Sequence, residues 1–77
     1  MARDQINTLT NRERQVMQGL LAGLPNKLIA HELDLSVRTV EIYRANVMAK
    51  LQARGLSTAV RIALTAGLEP LIERKSR

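Results

Sequence analysis

Apolar residues recur at helical spacing in four blocks along the chain, and capping residues, glycine or proline separate the blocks. The first block follows Thr10-Asn11-Arg12-Glu13. This is a capping box: the Thr10 hydroxyl can accept from the Glu13 amide, and the Glu13 side chain can return the bond. Val16, Met17, Leu20 and Leu21 then make one stripe, and Gly23 ends the helix. A second helix starts at Pro25-Asn26, where a proline sacrifices no hydrogen bond. Ile29 and Leu33 face inward from it, beside the small Ala30. Ser36 caps a third helix expected to run to about Ala53, roughly 25 Å long, with Gly55 as its stop. Ser57 caps a fourth, with Val60, Ala63 and Leu64 inward and Gly67 at its end. No alternating strand pattern appears. The expectation is an all-α fold, a compact four-helix domain containing a helix-turn-helix. Residues 1–8 are expected to be an arm or linker, residues 9–68 the folded domain, and residues 69–77, with Pro70 and a charged end, a frayed tail.

Spacing between the second and third helices marks the helix-turn-helix. Two helices that cross steeply over a short turn need a small residue where they touch. Ala30 supplies it. Four residues later the chain must turn sharply, and Asp34 tolerates left-handed geometry better than most residues. Val40, ten residues after Ala30, can lock one helix onto the other. The same signals fit an ordinary helical hairpin, and the third helix separates the two readings. On a wheel of about 100° per residue, Val40, Val47 and Leu51 share one direction, which is the core. The opposite direction holds Arg38, Ile42, Ala45 and Ala49, flanked by Glu41 and Asn46. A purely solvated face would carry long charged groups throughout. Small and apolar residues instead let a helix approach base edges, and they can meet a thymine methyl, while Glu41 can accept from a cytosine amino group. The competing reading is a face covered by another protein.

Charge narrows the partner. Twelve basic residues stand against seven acidic ones, a net +5. Between Ser36 and Arg61 the cations Arg38, Arg44, Lys50, Arg54 and Arg61 oppose Glu41 alone, five against one, or +4. Such a stretch attracts a polyanion, with affinity gained by counterion release. Tyr43 is the single aromatic residue. Stacking platforms for single strands need aromatic side chains, so duplex DNA is the expected partner. Seventy-seven residues hold one domain, with little room for a deep catalytic cavity. The chain lacks cysteine, and His31 is its only histidine, so no metal site or cofactor is expected. Capping accounts for Glu13, and no nucleophile–base pair or phosphate-cradling glycine loop accompanies it; the chain is not expected to be an enzyme. The longest apolar run, Gly19 to Leu24, is far below the roughly 20 residues that span a bilayer. The expected location is the cytoplasm, with no membrane partner.

Leu9-Thr10-Asn11-Arg12-Glu13, Asn26-Lys27-Leu28-Ile29-Ala30, Ser36-Val37-Arg38-Thr39-Val40-Glu41 and Lys50-Leu51 together resemble the LuxR-type helix-turn-helix of the NarL/FixJ response-regulator family. The resemblance runs from about Leu9 to Leu68. It implies the output domain of a two-component transcription regulator, with the third helix in the major groove. It also implies base contacts at Glu41, Ile42 and Ala45, and phosphate contacts at Arg38, Thr39, Asn46 and Lys50. Dimer contacts are implied on the fourth helix, whose outer side on the wheel carries Ala59, Ile62 and Ala66. A homodimer on DNA, RNA polymerase, and a receiver domain in the full-length protein are the further partners it implies. Departures from the pattern occur at Pro25, with Asn26 left to cap the helix, at Leu28, and at Arg44 near the core direction. Arg44 is expected to run along the apolar surface toward water, phosphate or an acid. Two rival readings are a basic helical adaptor for an acidic protein and a promoter-recognition module like region four of a sigma factor.

Overall fold

The computed structural model describes residues 2–71, and five helices occupy them: α1 (Ala2–Asn7), α2 (Asn11–Leu21), α3 (Asn26–Leu33), α4 (Val37–Lys50) and α5 (Leu56–Thr65). The four predicted helices are α2 to α5, so the fold class stands as all-α. The additional helix is α1, inside the segment expected to be an arm. Six residues do not form a stable helix alone. Burial of Ile6 and Leu9 supplies what the local sequence lacks, and α1 packs against α5.

The capping box at the start of α2 is complete. Thr10 Oγ1 accepts from the Glu13 amide at 3.1 Å, and Glu13 Oε1 accepts from the Thr10 amide at 2.9 Å. At the other end Gly23 adopts φ 79°, and the Leu24 amide reaches back to the Gly19 carbonyl at 3.1 Å. This left-handed closure is what the glycine permits. Val16, Met17 and Leu20 are buried as the stripe predicts. The α3 helix begins after Pro25 with no side-chain cap, so Asn26 does not take the capping role expected of it. It ends at Asp34, which stands in the left-handed region at φ 57°, ψ 45°. The sharp turn expected at that residue is therefore present, and the Leu35 amide closes it onto the Ala30 carbonyl at 2.9 Å.

The α4 helix stops earlier than Gly55 suggests. Leu51 is its C-cap and Gln52 turns left-handed at φ 54°. The Ala53 amide then donates to the Met48 carbonyl at 2.9 Å. Leu51 is wholly buried, so the chain is anchored there before any glycine is reached. Gly55 instead occupies the N-cap of α5, and Ser57 already lies inside that helix rather than capping it. Of the expected tail, residues 69–71 are described. The Leu71 amide donates to the Gln18 carbonyl at 2.9 Å, and Leu68 and Leu71 lie against the core. Residues 72–77 lie outside the described residues. Among the described residues no helix is long and apolar enough to cross a membrane.

One core serves all five helices. Val16 and Met17 of α2, Ile29 of α3, Val40 and Val47 of α4, Leu51, and Ala59 and Ala63 of α5 are all at zero exposure. The α2 helix touches α3, α4 and α5, which makes it the central support. Its Gly19 is buried under Ile29: a Cβ there would stand 2.7 Å from Ile29 Cγ1. The absent side chain lets α3 sit close on α2, and α3 in turn packs on α4.

Candidate nucleic-acid interface

The face of α4 opposite the core is open. Ser36 caps the helix by accepting from the Thr39 amide at 3.0 Å. Val40 and Val47 fix its rotation, because both are fully buried. Arg38, Glu41, Ile42, Ala45, Asn46 and Ala49 are consequently exposed. Three of these six are apolar, and Ile42 is among the largest exposed apolar side chains. The wheel drawn from the sequence therefore has the correct phase along the whole helix.

Side chains on this face differ in how free they are. Arg38 and Glu41 form an ion pair at 3.5 Å, with the arginine side chain 80% exposed and the glutamate 48%. Thr39 is half-buried, and its hydroxyl oxygen accepts from the Ser36 hydroxyl at 2.8 Å. Asn46 is exposed on the flank. Arg44, half-buried, donates to Asn26 Oδ1 at 3.2 Å. It thus ties α4 to the first turn of α3 through a neutral amide, not through an acid.

Lys50, expected to contact a phosphate, is engaged within the fold. Its ammonium donates to Glu13 Oε1 at 2.8 Å and to the Thr8 carbonyl at 3.3 Å. Glu13 is only 4% exposed. The Lys50 hydrogen bond, the Thr10 amide and the positive charge of Lys50 hold this carboxyl below the ordinary glutamate range, against the opposing effect of burial. The last residue of α4 is thus bolted to the cap of α2. Gln5 adds a second tie, its side-chain amide donating to the Leu51 carbonyl at 3.0 Å. The sequence motif Lys50-Leu51 carried no sign of either partner, which lie about 40 residues earlier.

The residues expected to form a dimer face on α5 are turned toward the core. Ala59 is completely buried, and Ile62 and Ala66 lie partly buried against the core. Ala63 faces inward as expected, Val60 is only half-buried, and Leu64 is 57% exposed. The physical reason is close packing. With α5 packed on α1 and α2, Ala59 and Ala63 are fully enclosed, Val60, Ile62 and Ala66 lie partly buried against the core, and Leu64 turns outward. Ser57, Arg61 and Leu64 form the outward side.

Residues 7–63 match the family described as bacterial regulatory proteins, luxR family. The chain is 61% identical over 64 residues to the transcriptional regulatory protein FixJ of Bradyrhizobium diazoefficiens, covering 83% of this chain and 31% of that protein. The solution structure of the C-terminal transcriptional activator domain of FixJ from Sinorhizobium meliloti superposes with a TM-score of 0.79 at 54% identity. That match covers 91% of this chain and 89% of the other. Full-length FixJ from B. japonicum superposes at 0.77 with 59% identity, over 86% of this chain and 34% of the other. The chain therefore spans about a third of the length of full FixJ proteins.

Proposed function

We propose that this chain, which belongs to the luxR family of bacterial regulatory proteins, binds duplex DNA by sequence through α4. The observation that carries the reading is the exposed row Ile42, Ala45 and Ala49 directly behind the buried Val40 and Val47. A slim, largely apolar helix face fits against base edges in the major groove, where a recognition helix lies in helix-turn-helix proteins. Ile42 and Ala45 meet the base edges, with Glu41 beside them at the edge of the face. Thr39 and Asn46, on the flank, reach phosphates. The net charge of +5 supplies the attraction that does not depend on sequence. Membership of a regulatory family, and not an enzyme family, favours this over the adaptor and sigma-like readings, and no catalytic role or cofactor is proposed.

Likeness to FixJ over about a third of its length supports the output domain of a two-component regulator, with a receiver domain in the full-length protein. Such a regulator acts in the cytoplasm on RNA polymerase at a promoter. Two copies on adjacent half-sites would meet through the outward side of α5, around Leu64, and not through Ala59, Ile62 and Ala66.

Selection of duplexes from a random pool tests the function. The protein should enrich one sequence, and binding should weaken steeply as salt rises. Ala45→Glu puts a carboxylate into the groove from an exposed position. It should abolish enrichment while leaving the thermal melt unchanged. Enrichment as strong as that of the unaltered protein would remove α4 from the interface.

A further inference from the structure

The row of α4 that points most directly away from the core contains one side chain able to read a base by hydrogen bonds. Relative to the outward direction set by Val40, Val47 and Leu51, Arg38, Ile42 and Ala49 lie within about 20° and Ala45 within about 40°. Glu41 lies about 80° to one side, by the same helical repeat. Isoleucine and alanine have no polar atom to offer. Arg38 has a planar fork of donors, and its side chain is 80% exposed. It is also the second residue of α4, in the first turn, and the N-terminal residues of a recognition helix are the ones that contact base edges.

Two local features bear on this arginine. A cation in the first turn opposes the helix dipole, and α4 has no acidic residue there to offset it. Glu41 brings a negative charge to a face meant for a polyanion. The ion pair at 3.5 Å answers both, because Glu41 offsets the arginine and the arginine shields the carboxylate. The pair spans about one helical turn and sets the Glu41 carboxylate beside the guanidinium.

We propose that Arg38 is a specificity-determining residue that reads a guanine through its O6 and N7 atoms, and that Glu41 is the positioning residue that aims it. The inference rests on the DNA-binding function proposed above. An arginine placed against guanine in the major groove can donate to both acceptors at once, a pattern no other base presents. Phosphate contact, the alternative for Arg38, carries no sequence information.

The test compares the unaltered protein with Arg38→Ala, Glu41→Gln and the double variant. Each is measured on the selected duplex, on every single-base-pair change of it, and on duplexes with single 7-deazaguanines. Both side chains are exposed, so all variants should melt like the parent. The unaltered protein should lose about tenfold or more in affinity when one particular guanine is replaced, or when its N7 is removed. Arg38→Ala should be indifferent to both changes at that position and keep its preferences elsewhere. Glu41→Gln should weaken discrimination at the same guanine, and the double variant should do no worse there than Arg38→Ala. An equal loss on all duplexes for Arg38→Ala, with the salt slope lowered by about one unit, would make it a phosphate contact and overturn the proposal. A Glu41→Gln effect confined to a different base pair would overturn the positioning role. Absence of any preference in the unaltered protein would sink DNA reading itself, a result distinct from preferences that merely survive Arg38→Ala.

Discussion

Lys50 and Glu13 show how one side chain can change its meaning between a motif and a fold. On α4 Lys50 is one more cation in a basic stretch. In the folded protein it closes a buried carboxylate that already accepts from the Thr10 amide. Lys50→Ala is expected to lower stability by about 1–3 kcal/mol, the range for a buried polar group left short of a partner. The full figure for a wholly buried pair does not apply, because the lysine side chain is 37% exposed. Denaturant midpoints check this, and unchanged stability would return Lys50 to the phosphate-contacting set. The pH dependence has a definite sign. The Glu13 carboxyl is held below its ordinary value near 4.5 in the folded state. Its contribution is therefore complete above that value and is lost as the pH falls through the lower folded one. Glu13→Gln should be less stable than the parent at neutral pH, and the gap should shrink in acid. A gap that stays constant from pH 7 to pH 3 would contradict the ion pair's role.

At the scale of elements, α4 is aimed by its neighbours. Gln5 of α1 holds the Leu51 carbonyl, the α2 cap holds Lys50, and Arg44 holds Asn26 of α3. The α2 and α3 helices approach closely where Gly19 meets Ile29. Gly19→Ala gains up to about 1 kcal/mol of helix propensity. Ile29 is fully buried and cannot swing aside cheaply, so overpacking of roughly 1–3 kcal/mol should win. The expected result is a lower melting temperature and weaker DNA binding, since α3 carries the shift to α4. A variant that melts higher than the parent would show that Ile29 repacks freely. In the sequence Gly19 is simply the first residue of the apolar run that ends at Leu24. Only the neighbouring helix explains it.

At the scale of the whole molecule, the exposed face of α4 and the outward side of α5 lie on different helices, so the proposed contacts with DNA and with a second copy need not compete for the same residues. Leu64 is the largest apolar exposure on α5. A single short helix from each partner buries less than a standard interface, so the pair should form on DNA and not in free solution. Leu64→Glu would set like charges against each other across a two-fold axis. Affinity for one half-site should persist, while cooperative filling of two should disappear in a gel-shift titration. Cooperativity that survives would place the dimer contact elsewhere.

The chain by itself determined the helices that carry their own punctuation. The Thr10–Glu13 box, Gly23, Asp34 and the Ser36 cap act on neighbours within one turn, so local chemistry sufficed to locate them. It also determined the phase of α4, because Val40, Val47 and Leu51 share one direction while Arg38, Glu41 and Asn46 mark the opposite side and its flanks. Tertiary structure alone decided what depended on distant partners. Residues 2–7 become a helix because Ile6 finds the core. Gln52 ends α4 because Leu51 is already anchored. In α5 both sides are apolar enough to be buried, so periodicity could not choose between Val60 and Ala59. Packing against α1 and α2 enclosed Ala59 and Ala63 completely, and Leu64 was left exposed on the far side.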